Sequence, residues 1–347
     1  MRLRGQLHIP GNLLIAGEYA VLAEGGLGVS MAVGPPVLAR IADCNEFRLV
    51  ARMGAYTTHW SPDASVEAAS NHRVGVFEHT LKILTDESFV RDAFSPEEQK
   101  LAERIVDVCR RVRERSFAPV EISVDTRSLF TRDGRKLGYG SSAAATVASV
   151  AGLLAAAGYD PVSDRRVVQR LATAAHRSLQ GTVGSGYDIA TSVFGGMGLF
   201  SGGVYPRYQR VLLPWFPQPA IEPGEQPQST KGAVDQFKSF QEKEPDRARD
   251  LFERNQRLVR KLLDTIASED GFGVLHEIRR HGEELGELVG VPARVETVHP
   301  DPASDTGCSR RFRKALGAGN ETILVLPHVS GCPGRAIIRD DEGLRWA

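Results

Sequence analysis

The stretch Gly138-Tyr139-Gly140-Ser141-Ser142-Ala143-Ala144-Ala145 decides the fold. Its glycines allow the backbone to approach a ligand closely, because no Cβ stands in the way. The alanine-rich run that follows predicts a helix to about Ala157, and the free N–H groups at a helix start favour an anion such as phosphate. The pattern matches neither the Walker loop nor the dinucleotide-binding G-x-G-x-x-G. Taken alone, it leaves a second interpretation open, a plain strand-to-helix turn with a serine cap.

A second glycine-bearing loop, Gly181 to Gly186, comes after a predicted helix of about Asp164–Leu179. Asp188, just beyond it, can orient an acceptor, act as a base or offset a cation. It can equally cap the helix that starts at Ile189. We interpret His176, near the end of the preceding helix, as a surface or interhelix residue and give it no chemical role.

Composition excludes several classes of protein. The 347 residues suggest two domains, and 43 basic residues balance 43 acidic ones, which argues against a general nucleic-acid binder but leaves an anionic small substrate open. No apolar run approaches the length of a membrane span. The four cysteines form no C-x-x-C pair, so we expect a reduced, cytoplasmic protein without a zinc site or a disulfide framework.

The order of predicted elements indicates two mixed domains of the α+β class with antiparallel sheets. Val29–Val33 and Val37–Ile41 read as two strands joined by a rigid Pro35-Pro36 connection. The five prolines within 214–228 predict a connection with little regular structure, and we place the domain boundary there, between 1–213 and 214–347. Further helices are predicted at about 66–85, 96–115, 231–241, 246–267 and 273–289, and strands at 119–126, 196–200, 209–213, 322–326 and 336–339.

Five stretches in order along the chain resemble the GHMP kinase superfamily, and most closely its phosphomevalonate kinase branch. Pro10–Leu22 is similar to the opening P-G-K-…-G-E-Y-x-V-L, and the first glycine loop is similar to G-L-G-S-S-[AG]-A. Within His176–Gly196, the spacing of the glycines and Asp188 looks like the corresponding motif of the phosphomevalonate kinase branch rather than that of mevalonate kinases. Ser229-Thr230-Lys231 is similar to its S-T-K element, and Lys314–Gly319 resembles the closing K-x-x-G-A-G.

The resemblance implies a ribosomal protein S5 domain 2-like N-terminal domain and a ferredoxin-like C-terminal domain, with ATP at their interface. It implies catalytic roles for Asp188 and Lys136, the lysine through a phosphate contact, with Ser142 as the ligand of Mg²⁺. The implied nucleotide-binding residues are Gly138, Tyr139, Gly140, Ser141, Ser142 and Ala143. The implied acceptor-binding residues are Asn12, Glu18, Ser185, Gly186, Lys231, Gly317, Ala318 and Gly319.

The implied function is ATP-dependent phosphorylation of 5-phosphomevalonate to 5-diphosphomevalonate in the mevalonate pathway of isoprenoid synthesis. Asn12 stands where the family has a lysine that stabilises the transferring group, which favours an acceptor that is already ionised. A mevalonate kinase or another alcohol kinase of the superfamily stays open, as does a non-catalytic protein that binds a nucleotide or metabolite. We expect ATP, Mg²⁺ and a phosphorylated small molecule as partners, no nucleic acid or membrane, and a monomer or homodimer.

Overall fold

A computed structural model of the protein describes residues 3–53, 56–60, 72–85, 98–115, 119–131, 133–180, 184–224, 230–265, 271–291, 293–295, 311–317 and 322–347. The strands are β1 (Gly5–Ala16), β2 (Leu27–Ala42), β3 (Phe47–Met53), β4 (Tyr56–Trp60), β5 (Val120–Asp125), β6 (Met197–Ser201), β7 (Arg207–Val211), β8 (Ala220–Pro223), β9 (Phe312–Ala315), β10 (Thr322–Leu326), β11 (Arg335–Ala336) and β12 (Arg345–Trp346). The helices are α1 (His72–Thr85), α2 (Gln99–Arg115), α3 (Ser141–Ala156), α4 (Arg165–Gln180), α5 (Tyr187–Phe194), α6 (Thr230–Lys243), α7 (Pro245–Asp264) and α8 (Gly271–Val289).

The larger of two sheets has the strand order β12-β1-β2-β5-β3-β4, and β6 pairs with β2 and with β7. Its pairings are antiparallel apart from that of β3 with β5. The two strands predicted at Val29–Val33 and Val37–Ile41 are one continuous strand, β2, which corrects that prediction. The reason is that β1 pairs along nearly the whole of β2, from Gly5 opposite Ile41 to Ala16 opposite Val29.

Helix α3 fixes the position of the first glycine loop, because it is the central helix behind the sheet. Every residue from Ala143 to Ala156 is buried. Its small side chains let it approach the strands closely, so that a Cβ on Gly152 would lie 2.7 Å from Cγ2 of Ile122 in β5. A helix packed this tightly is a rigid support for the loop at its N-terminus.

The second sheet has the order β11-β8-β10-β9 and is antiparallel throughout its described pairings. Strand β8 lies inside the proline-rich stretch 214–228, where we predicted little regular structure, so that prediction is wrong at Ala220–Pro223. The strand forms because β10 and β11 pair with it from about a hundred residues further along the chain.

The two sheets share one main hydrophobic core, which contains residues such as Ile9 of the first sheet and Leu324 of the second. Strand β12 returns to the first sheet, where Trp346 pairs with Leu7. The boundary at 213/214 stays a prediction. Cys332 is disulfide-bonded, which corrects the expectation of a reduced cysteine there, whereas Cys44 and Cys109 are free as expected. Among the described residues, no helix combines the length and apolar character needed to span a membrane.

Candidate active site

The first glycine loop has the left-handed backbone that its glycines permit. Gly138 has φ +73°, and Gly140, the N-cap of α3, has φ +64°. No side chain caps the helix, so the interpretation of a serine-capped turn is wrong. The N–H groups of the first helical turn have no partner within the helix. They open next to Ser141 and Ser142, where the sequence analysis expects an anion.

Asn12 packs against the buried side of this loop. It is only 2% exposed, its backbone N–H donates to the carbonyl of Tyr139 at 3.0 Å, and its Nδ2 donates to Oγ of Ser192 at 3.1 Å. A Cβ on Gly140 would lie 2.3 Å from Nδ2 of Asn12. Asn12 therefore forms the floor of the loop, and its contact with an acceptor stays a prediction.

Tyr139 is held inside the protein, 1% exposed, and among the described residues its hydroxyl has no hydrogen-bond partner. Burial raises the pKa of Tyr139 to about 12. The side chain is therefore protonated at neutral pH, and it anchors the loop in the core rather than acting as a base.

The second glycine loop meets the first at one imidazole. Nε2 of His176, in α4, lies 3.3 Å from Oγ of Ser142 at the start of α3. Nδ1 of the same ring lies 3.7 Å from Oδ2 of Asp188. Nε2 of Gln180 is 3.2 Å from Nε2 of His176. His176 is 4% exposed and lies between helices, which confirms the interhelix alternative of the sequence-based interpretation.

Asp188 lies in the first turn of α5 with its side chain 21% exposed. One carboxylate oxygen, Oδ1, accepts the backbone N–H of Ile189 at 2.9 Å, while Oδ2 faces His176. Helix α5 begins at Tyr187 with Gly186 as its N-cap, and no side chain of the described residues caps it, so the interpretation of Asp188 as the cap of a helix starting at Ile189 is wrong.

Arg177 holds the second loop in place. Its Nε donates to the carbonyl of Gly184 at 2.7 Å, and its Nη2 donates to the carbonyls of Ser185 and Gly203 at 3.3 and 3.2 Å. Burial lowers the pKa of Arg177, and the charge of Asp188 opposes that shift. The guanidinium thus places a positive charge near Asp188. Ser185 and Gly186 of this loop are both buried.

Glu18, predicted to bind the acceptor, forms a buried ion pair with Lys314 of β9. Lys314 is 2% exposed and also donates to the carbonyl of Ala315 at 2.9 Å. Glu18 lines a cavity of about 510 Å³ between the turn after β1 and the helices α6, α7 and α8. Tyr19 lines it too, stacked on Phe237 with ring centroids 4.7 Å apart.

The other predicted site residues divide between described and undescribed parts of the chain. Lys136 is exposed on a bridge with Phe130, just before the first loop. Lys231 lies in α6, and its side chain is outside the described part. Gly317 has φ +69° and directly follows Leu316, whereas Ala318 and Gly319 lie outside the described residues.

Thr322 is a contact that the sequence analysis missed. A Cβ on Gly138 would lie 1.9 Å from its Oγ1, so β10 of the second sheet touches the first glycine loop. Thr322 stands just beyond the closing motif, at the start of a strand that was predicted correctly. No local signal marks this contact, because the two residues meet only through the packing of the sheets.

A divalent cation at this site would depend on the nucleotide. Within the described ranges, no group of three His, Cys, Asp or Glu side chains could hold a metal ion. Mg²⁺ in nucleotide sites is held by one or two protein oxygens together with phosphate oxygens and water. The hydroxyl of Ser142, at the start of α3, is a single protein oxygen of the kind that arrangement needs.

Comparisons with known proteins give several relatives. Residues 101–196 match the family model of the GHMP kinase N-terminal domain. The phosphomevalonate kinase of Streptomyces sp. (strain CL190) is 30% identical over 308 residues, which are 81% of this chain and 78% of that protein. The structure of Streptococcus pneumoniae phosphomevalonate kinase in complex with phosphomevalonate and AMPPNP has a TM-score of 0.67 at 17% identity, covering 92% of this chain and 91% of that one. Methanococcus jannaschii mevalonate kinase has a TM-score of 0.59 at 15% identity, covering 93% and 90%. The predicted α+β architecture is thereby confirmed.

Proposed function

The chain belongs to the phosphomevalonate kinase family of the GHMP kinases, and from this premise we propose that it transfers the γ-phosphoryl group of ATP to the phosphate of 5-phosphomevalonate. It is a phosphotransferase that produces ADP and a diphosphate monoester. The pathway it serves is then the mevalonate route of isoprenoid synthesis, and we place it in the cytoplasm.

One observation supports the site more than any other. Ser142 and Asp188, 46 residues apart in the sequence, lie on the two sides of the His176 ring. A helix start that binds phosphates and a carboxylate that faces them must share one cleft in a phosphoryl-transfer enzyme. Had the two loops lain on different faces of the molecule, the assignment would have failed.

The nucleotide phosphates would lie on the N–H groups that open α3, above the left-handed turn at Gly138 and Gly140. Ser142 would hold Mg²⁺ through its hydroxyl oxygen, with phosphate oxygens and water completing the shell. The ion would neutralise charge that develops on the β- and γ-phosphates. Lys136, exposed just before the loop, would contact a phosphate.

The acceptor chemistry explains why Asn12 is tolerated. An oxygen of the acceptor phosphate attacks the γ-phosphorus, the bond from that phosphorus to the β–γ bridging oxygen breaks, and ADP leaves with the electron pair. A phosphate monoester has a second pKa of about 6, so it is mostly ionised at pH 7 and no strong base is required. Asp188 then acts by orienting groups, and Arg177 supplies a nearby positive charge in place of the family lysine.

The direct test is a turnover assay with purified protein, ATP and MgCl₂. Each acceptor is offered alone. With 5-phosphomevalonate we expect ADP release, which a coupled assay measures, and a new diphosphate signal in the ³¹P NMR spectrum. Mevalonate and homoserine serve as alcohol acceptors.

Two results would overturn the proposal. Turnover of mevalonate without turnover of 5-phosphomevalonate would make the protein an alcohol kinase. Binding of the ATP analogue AMPPNP without turnover of any acceptor would make it a nucleotide-binding protein without catalysis.

A further inference from the structure

His176 is the point at which the two halves of the site touch. It is buried in α4, and its two ring nitrogens face different loops. Nε2 faces Oγ of Ser142 and Nε2 of Gln180, whereas Nδ1 faces Oδ2 of Asp188. The sequence analysis had given neither ring nitrogen of His176 a role.

The neighbours of the ring decide where its proton lies. The carboxamide nitrogen of Gln180 can only donate, so Nε2 of His176 must accept. The neutral ring therefore carries its proton on Nδ1, which directs an N–H towards the carboxylate of Asp188. The hydroxyl of Ser142 must then donate to Nε2, sharing that lone pair with Gln180.

This arrangement has a consequence for each loop. A serine hydroxyl binds a cation through an oxygen lone pair, so its proton must point elsewhere. Nε2 of His176 accepts a hydrogen bond from that hydroxyl, which leaves the oxygen lone pairs of Ser142 free. On the other side, Oδ1 of Asp188 is held by the N–H of Ile189, while Nδ1 of His176 lies 3.7 Å from Oδ2, outside hydrogen-bond distance but close enough to attract that oxygen electrostatically.

We propose that His176 is a positioning residue that aligns Ser142 for the Mg²⁺–nucleotide through Nε2 and Asp188 for phosphoryl transfer through Nδ1. This inference rests on the proposed function. It predicts that the two tasks can be separated, because each belongs to a different ring nitrogen. Groups that orient ligands in this way change affinity or activity by about tenfold or more when they are removed.

Two substitutions separate the tasks by geometry. The amide of asparagine reaches the position of Nδ1, so His176→Asn keeps a donor for Asp188 and loses the contact with Ser142. The amide of glutamine reaches the position of Nε2, so His176→Gln keeps an acceptor for Ser142 and loses the donor for Asp188. We expect His176→Asn to weaken AMPPNP binding in MgCl₂ about tenfold with kcat nearly retained, and His176→Gln to lower kcat about tenfold with AMPPNP binding retained.

The measurement combines calorimetric titration of AMPPNP, in MgCl₂ and in EDTA, with steady-state kinetics at saturating ATP and 5-phosphomevalonate. In EDTA the two variants and the unchanged protein should bind AMPPNP alike. His79→Gln is the matched control, because Nδ1 of His79 also contacts a serine of α4, Ser178, at 2.8 Å, and the structure shows no contact of His79 with Ser142 or Asp188 among the described residues. It should leave both constants unchanged.

The outcomes are distinguishable. If the unchanged protein does not phosphorylate 5-phosphomevalonate, the proposed function fails, and the Mg²⁺-dependent binding of AMPPNP still tests the Ser142 contact. If the unchanged protein is active and both variants match it, or both lose affinity and kcat equally, the positioning role is overturned. Should both variants unfold in a thermal melt, Gln180→Leu replaces them, since it keeps His176 but frees its tautomer. Unaltered binding and kcat in Gln180→Leu would then contradict the inference.

Discussion

The two glycine loops of the site differ in whether a charged side chain helps to hold them. The loop at Gly138–Ser142 takes its form from missing side chains, since a Cβ at Gly138 or Gly140 would overlap Thr322 or Asn12. The loop at Gly184–Gly186 also has a left-handed glycine, Gly186 with φ +85°, and it is held in addition by the buried guanidinium of Arg177, which binds the carbonyls of Gly184 and Ser185. The first loop therefore depends on close packing, and the second depends on close packing together with a buried charge. Substitutions can perturb the two halves separately.

The largest effect should come from Asp188→Asn, which alters the chemistry of the second loop without altering its shape. The amide oxygen can still accept the N–H of Ile189, so the helix start is preserved. We expect kcat to fall at least about a hundredfold, because orientation and charge are lost at the reacting group. Steady-state kinetics with 5-phosphomevalonate would check this.

Asp246→Asn is the control for that prediction, because Asp246 also lies in the first turn of a helix, α7, and is exposed. Its turnover should equal that of the unchanged protein. A kcat for Asp188→Asn close to the unchanged value would remove Asp188 from the mechanism.

The next effect tests the packing of the first loop. Gly140→Ala would place a Cβ 2.3–2.6 Å from three side-chain atoms of Asn12, in a backbone of φ +64°. We expect AMPPNP affinity to fall about tenfold, since the N–H groups above Asn12 must shift, and stability to fall by about 1–2 kcal/mol from the left-handed backbone alone. Calorimetry and urea unfolding measure the two changes.

Gly134→Ala is the control that separates the backbone strain of a left-handed residue from the overlap of the new Cβ with Asn12. Gly134 also has a positive φ, +82°, but a Cβ there meets nothing within 4 Å. It should lose similar stability and keep its affinity for AMPPNP. Equal affinity loss in the two variants would show that the overlap with Asn12 is irrelevant.

A smaller effect on turnover is expected at Arg177, where charge and hydrogen bonding can be divided. Arg177→Met removes both, and Arg177→Lys keeps the charge while losing the forked donors. Both should lower the free energy of unfolding by about 2 kcal/mol, because buried carbonyls lose charged partners. The methionine variant alone should lose several-fold more kcat. Arg166→Met, at an exposed position of the same helix, is the control, and equal kcat in the lysine and methionine variants would exclude a role for the charge.

The smallest effect on the site is expected from His281, which lies in α8 outside both loops and affects the pH dependence of stability. Burial and the charge of Arg254 lower the pKa of His281 to about 4, with Lys314 acting in the same direction and Glu284 opposing it. Since the unfolded chain binds the proton more readily, stability should fall as the pH drops from about 6.5 to about 4, by up to about 3 kcal/mol. Urea unfolding across that range should show a shallower pH dependence in His281→Gln, and identical slopes would contradict the assignment.

The sequence predicted what local chemistry determines. The helix after the first loop begins at Ser141 and ends at Ala156, close to the predicted limits, because glycine, serine and alanine carry that information within a few residues. Strand β10 was predicted with its observed limits, Thr322–Leu326, from a continuous apolar run.

What was missed depends on residues far apart in the chain. Strand β8 forms in a proline-rich stretch only because β10 and β11 lie beside it. His176 gains its setting from Ser142 and Asp188, which are 34 and 12 residues away, so no periodicity could reveal it. The motifs indicated which loops carry the chemistry, and only the packing shows which side chain joins them.

The buried pair of Glu18 and Lys314 also limits how the two sheets can move. Glu18 follows the first strand of one sheet, and Lys314 lies within the other. Pulling such ions apart in a dry interior costs several kcal/mol, so motions that separate them are rare. The pair therefore holds the turn after β1 against β9, so a motion that opened the molecule at this point would have to break a buried ion pair.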